Sequence, residues 1–480
     1  MSDNPYHVIP YTTFPRLSTH PDRLAAVGTL FGMTPAPVTR CRVLEIGCGN
    51  GGNLIPMAYA LPESRFIGVD LAAEAIAVGQ ATIAALGLTN ISLLPADLRD
   101  IGRDCGEFDY GEFDYILAHG VYSWVPPDVR DRVVAVCRER LQPQGIAFIS
   151  YNVYPGRHVH QMLREMMLYH TRNIRDVAER VRQARWFLQF LREGRLVSQP
   201  WQAMLDPETE LLMKRSDDSL CHDDLAESNE SVYFRDFAAH AARHGLQYLG
   251  EADPYEMFDP GDRLNWLKGD VIEREQYLDF LRFRRFRQTL LCRQEVPLER
   301  PTGPVLMDRL LFSAPARTLE GGQIQGMRGV CVTAPHEVVS RVAAAMGDAY
   351  PLPVSFEELV PYCGDRDGLR EILFGLMVGG FADIHVHDFP CEETVTARPK
   401  ASKLVRHQAA TSPFVTGACP LVVELDEVAR HLVRLMDGTR DHRQLAQDLA
   451  AIPGAPAAGR IGEHLLASLK WLARMSLLER

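Results

Sequence analysis

"VLEIGCGNGGNLIP", Val43 to Pro56, is the stretch on which the fold turns. It reads as a short apolar strand, a glycine-rich turn and the start of a helix. Gly47, Gly49 and Gly52 satisfy the G-x-G-x-x-G spacing of a dinucleotide site. Gly47, Gly49 and Gly51 equally satisfy G-x-G-x-G, the turn of an S-adenosylmethionine (SAM) site. In either case glycine permits a tight turn with positive φ and lets a ligand approach the backbone closely. The glycines alone leave the cofactor open.

Three carboxylates favour SAM. Glu45 stands two residues before the first glycine, where a carboxylate repels a pyrophosphate but attracts the α-ammonium of SAM. "RFIGVD" is a second apolar strand ending in Asp70, 19 residues after Gly51. An acid there accepts hydrogen bonds from ribose hydroxyls, a feature both cofactors share. "NISLLPAD" ends in Asp97, placed for an adenine amino group. Leu71 and Leu98, which follow these two acids, belong to the same expected binding set. A dinucleotide site and a related fold that binds nothing are the alternatives.

Outward from this loop the pattern alternates. Strands are expected near 42–47, 65–70, 91–94, 113–118 and 145–151, with helices near 52–61, 72–86 and 127–141. That is the signature of a doubly wound parallel sheet. Upstream, "STHPDRLAAVGTLFGM" reads as a helix with Pro21 in its first turn, Ser18 or Thr19 as cap and Gly32 as stop. "EFDYGEFDY", 107–115, is a tandem repeat of which only the second copy runs into a strand. Residues 157–200 read as amphipathic helix, with methionines suited to a core or an oligomer seam.

From Arg157 to Arg195 there are nine arginines against four acids. This is a solvated helix face or a docking face for an acidic partner. A proline-rich boundary falls near 297–305. Beyond it two helix-turn-helix units with edge strands read as winged-helix-like modules, separated by a polar segment expected as loop (391–412). Residues 301–480 hold 18 Lys plus Arg against 21 Asp plus Glu, and the whole chain carries −11, so protein contact is favoured over nucleic acid.

With 480 residues the chain is expected to divide into a core (1–156), a middle domain (157–300) and a C-terminal domain (301–480). No apolar run approaches the ~20 residues of a membrane span. The first residues do not read as a secretory leader, and ten cysteines without a C-x-x-C pair indicate reduced thiols. The expectation is a cytoplasmic protein without membrane insertion. The pairs His158/His160 and His385/His387 lack a third ligand in sequence and read as exposed faces, so no metal is expected.

The opening "IPYTTFPRLSTHPDRLA", with "LEIGCGNGGNLIPMA", "FDYILAHGVYSWVPP", "SYNVYPG" and "ESNESVYFRDFAAHAARHGLQYLGEAD", resembles bacterial methyltransferases with a regulatory domain. The resemblance spans nearly the whole chain and extends to the rickettsial protein lysine methyltransferases that modify outer-membrane protein B. It implies a Rossmann-like class I methyltransferase core, a mostly helical middle domain and a winged-helix-like C-terminal domain. It also implies SAM as cofactor, S-adenosyl-L-homocysteine as product, a protein acceptor and a tendency to form homodimers. Two positions depart from the pattern: Arg157, where an aromatic is common after "YPG", and Ser231, where proline is common. Both lie on the expected acceptor side.

Methyl transfer to lysine requires a desolvated, neutral amine. At a reference pKa near 10.4 only about 0.04% of the amine is neutral at pH 7. Aromatic walls supply desolvation, and ligand sites in such sheets lie at the carboxyl ends of strands. Tyr122 and Trp124 after the fourth strand, with Tyr151 and Tyr154 at the fifth, are therefore the acceptor-channel candidates. The fourth strand runs into "AHGV" rather than N-P-P-Y, which argues against an adenine or glutamine acceptor. His119 in that turn is read as a cofactor contact before a base. A small-molecule methyltransferase and a non-catalytic SAM sensor are the rival functions.

Overall fold

The computed structural model describes the chain except residues 1–8, 10–12, 102–110, 195–197, 259–262, 301–302, 320–322, 334–336, 391–394, 453–459 and 480. The first copy of the tandem repeat lies outside the described residues.

The chain enters through helix α1 (Pro21–Leu30). Its cap is His20, whose Nδ1 accepts from the Asp22 amide at 3.2 Å, rather than Ser18 or Thr19. Thr19 is spent elsewhere, donating its hydroxyl to Arg16 O at 2.9 Å. There follow β1 (Arg42–Ile46), α2 (Leu54–Ala60), β2 (Arg65–Asp70), α3 (Ala73–Leu86), β3 (Ile91–Pro95), β4 (Phe113–Ala118), α4 (Pro127–Arg140) and β5 (Leu141–Asn152). These five strands pair in parallel. Apolar runs such as Val43, Leu44 and Ile46 are buried on both faces, as a helix-covered parallel sheet requires.

Three helices come next: α5 (Arg157–Thr171), α6 (Val177–Gly194) and α7 (Gln199–Met213). They pack a small core of their own from Leu163, Met167, Val181, Leu188 and Leu212. Then α8 (Phe234–Arg243), β6 (Leu246–Glu251), α9 (Val271–Arg282) and β7 (Phe286–Arg293) return to the sheet. The full order is β3-β2-β1-β4-β5-β7-β6, with β7 antiparallel to both β5 and β6. The sheet therefore does not stop near Gly156. Two of its seven strands come from the segment expected as a middle domain, and α5–α7 are inserted between β5 and those strands.

The C-terminal part holds two units. The first contains β8 (Leu311–Ser313), α10 (Glu337–Ala349), α11 (Phe356–Cys363), α12 (Arg366–Val378) and β9 (Asp383–His385). Its core of Phe312, Met346, Leu369 and Leu373 also takes in Ala26 and Leu30 of α1. The second contains α13 (Lys403–Thr411), two short strands, α14 (Glu427–Leu435), α15 (His442–Ala450) and α16 (Ile461–Arg474). Helix α13 falls in the polar segment expected as loop. Ser402 Oγ caps it by accepting from the Val405 amide at 3.0 Å, and Leu404, Val405 and Ala409 are buried.

Each histidine pair is split in space: His158 is exposed and His387 half-buried, but His160 and His385 are buried. His385 is buried, with Nδ1 2.7 Å from Asp22 Oδ2 and Nε2 2.8 Å from Ser313 Oγ. His160 is fully buried between Glu208 Oε1 (2.6 Å) and Asp224 Oδ1 (2.7 Å). The arginine stretch is likewise divided. Arg157 and Arg164 point inward, and burial pushes the Arg157 guanidinium down to about 10 despite Asp224. Arg172, Arg175, Arg182 and Arg192 face solvent. Among the described residues no helix is long and apolar enough to cross a membrane.

Candidate functional site

The backbone decides between the two glycine spacings. Gly47, Gly49 and Gly51 have φ of +74°, +55° and +75°, the left-handed region that glycine alone enters cheaply. Gly52 does not need that region. A Cβ there would lie 2.2 Å from Thr13 Oγ1 and 2.5 Å from Thr13 O. The fourth glycine thus makes room for the N-terminal segment, not for a cofactor. Thr13 Oγ1 accepts from the Gly52 amide at 3.1 Å and donates to Asn50 Oδ1 at 2.5 Å. The Arg16 amide donates to Asn53 Oδ1 at 3.0 Å. Residues 13–16 therefore strap the glycine loop.

Under this strap sits Glu45, only 4% exposed. Its Oε1 accepts from Asn53 Nδ2 at 2.8 Å, while Oε2 is buried without a partner. Burial pushes the carboxyl up to about 8, with Asn53 and Arg16 opposing only part of the rise. A buried acceptor left open in this way is costly unless a donor completes it. Asp70 at the end of β2 braces the loop: Oδ2 accepts from the Gly49 amide and Oδ1 from the Ala72 amide, both at 2.8 Å. A carboxylate has further lone pairs to offer. Leu71 beside it is 74% exposed. Asp97 at the end of β3 holds Arg99 through its amide (2.9 Å) and guanidinium (3.0 Å), with Leu98 half-buried next to it.

The acceptor side is built differently from the sequence expectation. Tyr151 is fully buried, stacked on Phe237 with ring centres 4.0 Å apart, and its hydroxyl pairs with Thr289 Oγ1 at 2.9 Å. Tyr122 is 3% exposed and hydrogen-bonds His240 Nδ1 at 2.8 Å. Both tyrosines pack the sheet against α8. Strand alternation is the reason: Tyr151 faces α8, so its neighbours Ser150 and Asn152 point the other way. Trp124 is half-buried and donates from Nε1 to Asp223 O at 3.3 Å. Tyr154, also half-buried, stacks on His158 at 4.0 Å beside Tyr233. Of the four aromatics, these two keep some exposure.

His119 lies at the end of β4, with Nδ1 3.1 Å from Ser150 Oγ, which also accepts from the Gly120 amide at 2.9 Å. Burial, with the nearby Arg16 cation, pushes its imidazole down to about 3. Sequence reasoning missed a buried polar cluster at the end of β5. Asn152 Nδ2 donates to Asn229 Oδ1 at 2.8 Å, and the Asn152 amide donates to Ser123 Oγ at 2.9 Å. All three side chains are buried. The available signal was an asparagine ending an apolar strand, in "SYNV", where no turn is needed.

Three family models match this chain. They are a methyltransferase domain over residues 43–145, a predicted methyltransferase regulatory domain over 216–293, and the C-terminal winged helix domain of PKMT over 397–452. The uncharacterized protein RP789 of Rickettsia prowazekii (strain Madrid E) is 40% identical over 478 residues, covering 92% of this chain and 85% of its own. A second protein of that organism, RP028, is 35% identical over 245 residues, covering 51% of this chain and 96% of its own. Among solved structures, PKMT2 from Rickettsia typhi in complex with AdoHcy is 26% identical with a TM-score of 0.83, covering 98% of this chain and 100% of that one.

Proposed function

The chain belongs to the bacterial class I SAM-dependent methyltransferases that carry a regulatory domain and a PKMT-type winged helix, and from that premise we propose that it N-methylates lysine side chains of a protein. The observation that carries the cofactor assignment is the open, buried Oε2 of Glu45. It fits the α-ammonium of an amino-acid-bearing cofactor and not a phosphate. The positive-φ backbone at Gly47, Gly49 and Gly51 permits close approach, and Asp70 would hold ribose hydroxyls. Leu71, Asp97 and Leu98 would flank the adenine, and His119 the reacting end. When bound, SAM supplies a methyl group activated on a sulfonium.

The chain's own residues then have two tasks: to align the amine and to keep water out. Trp124 and Tyr154 give an apolar approach that lowers the amine's pKa and favours methylated ammonium. His119, held neutral, adds no positive charge beside the acceptor and is too weak a base to take its proton, which leaves through solvent. The full-length likeness to PKMT2 supports a protein acceptor. Docking is assigned to the surface of α5–α7, where Arg172, Arg182 and Arg192 lie near exposed Trp186, Phe190 and Trp201. An acidic surface or outer-membrane protein suits such a face, and attraction to it should weaken with salt. A second copy of the chain competes for the same face.

The test is to incubate the protein with SAM and purified bacterial surface proteins and map lysine mass gains of methyl groups by peptide mass spectrometry. Methylated lysines that vanish in Glu45→Ala support the reading. A small metabolite methylated while no lysine is modified overturns the protein acceptor. NAD bound tightly by a protein that ignores SAM overturns the cofactor.

A further inference from the structure

We infer that Asp131, His240 and His244 form a binding site for a single zinc-like divalent ion that staples α4 to α8 behind the acceptor loop. His240 lies in the last turn of α8, and His244 is the residue that caps it, four positions on. That spacing puts both rings on one helix face. Asp131 comes from α4. The two Nε2 atoms converge on Asp131 Oδ1, at 3.0 Å from His240 and 2.8 Å from His244. The three ligand atoms lie within 4.8 Å of one another, the one such group among the described residues. Tetrahedral zinc with nitrogen and oxygen bonds near 2.0–2.2 Å sets its ligand atoms roughly 3.3 Å apart, so little movement is required.

Two further features suit a metal. His240 Nδ1 is engaged by the Tyr122 hydroxyl at 2.8 Å, which fixes the ring and aims Nε2 outward, as partners of metal-bound histidines do. The side chain of Asp131 is 58% exposed, which gives an entry path and leaves the fourth position to water. Two histidines and one carboxylate match the three-ligand sets of zinc sites with an open position. Arg243 is the nearby cation that acts against the ion, through its repulsion of His240. Because Tyr122 begins the segment that ends in Trp124, the ion would stiffen the acceptor side from behind.

The experiment uses the full chain, stripped with a chelator and titrated with zinc by calorimetry, with cobalt as a coloured stand-in. One equivalent is expected, with visible cobalt absorption. His244→Gln and Asp131→Asn, both on partly exposed side chains, should each weaken binding at least about tenfold. Tyr122→Phe should weaken it about tenfold through ring orientation alone. Circular dichroism identical to the parent protein separates lost ligation from lost fold. No uptake by the parent chain, or equal affinity in His244→Gln and Asp131→Asn, overturns the site and leaves a hydrogen-bonded Asp–His pair.

Discussion

Asp22 and His385 stand 363 residues apart in the chain and 2.7 Å apart in space. The same carboxylate accepts from the amides of Val386 and His387, both at 2.8 Å. Burial alone would raise the Asp22 carboxyl, yet its contacts with His385, His20 and the Val386 amide leave it below the ordinary range. The C-terminal part thus grips α1, and the segment just before α1 straps the glycine loop. His385→Ala should lower stability by about 1–3 kcal/mol, since a buried acceptor loses its partner. SAM affinity should fall with it. Urea denaturation and calorimetry measure the two. Lost stability with unchanged affinity would confine the grip to folding.

Glu45 makes cofactor binding depend on pH. Its carboxyl, pushed up to about 8, is mostly protonated at neutral pH in the free protein, whereas an ammonium selects the carboxylate. Binding therefore expels a proton below pH 8, and apparent affinity should fall about tenfold per pH unit as pH drops through 7 and 6. Above 8 the gain should end, and affinity should turn down once the ligand's ammonium loses its own proton. Calorimetry in buffers of different ionisation enthalpy counts the proton, and Glu45→Gln should flatten the profile while weakening binding. A parent protein with no slope would place the proton elsewhere.

His119 contributes no titration between pH 5 and 8, because its imidazole sits near 3. The rise of turnover with pH should come from the acceptor amine. His119→Asn should lower turnover yet keep the same pH dependence as the parent. Disappearance of the rising limb in that variant would make His119 a base after all.

Arg287 is fully buried among Glu251 (2.5 Å), Asp279 (2.9 Å) and Glu275 (3.0 Å). Arg287→Ala leaves these acids without their central cation and should cost about 3–5 kcal/mol. Chemical denaturation checks the value. A loss under about 1 kcal/mol would mean that Arg284, 3.2 Å from Asp279, takes over.

The first five strands were legible because each is a short apolar run between turn residues, a local signal. β6 and β7 join that sheet through the pairing of β5 with β7, Asn152 opposite Phe286, which no local pattern encodes. Glu45 and Asp70 were legible as acids at the carboxyl ends of short apolar strands. Of the four aromatics, Trp124 and Tyr154 are half-buried, whereas Tyr122 and Tyr151 go to the core. Which face Tyr151 takes depends on the parity of β5, which pairs with β4 on one side and β7 on the other. His385 and His160 looked superficial because their acidic partners are remote in sequence. His240 and His244 escaped notice because Asp131, which joins them, lies on another helix.

The late return of β7 to the edge of β5 also governs how the molecule is made. A ribosome extrudes β5 more than a hundred residues before its antiparallel neighbour exists, so nascent chains carry an unpaired edge rich in Phe148, Ile149 and Tyr151. Such edges recruit chaperones or other chains until they are covered. The inserted helices, with a core of their own, can condense in the interval and keep that edge from running into open solvent. A fragment cut near Gly156 is expected to aggregate, and one ending near Glu295 to be the first that stays in solution. Force-profile measurements on stalled nascent chains should accordingly report their main folding transition only after Arg293 has cleared the exit tunnel.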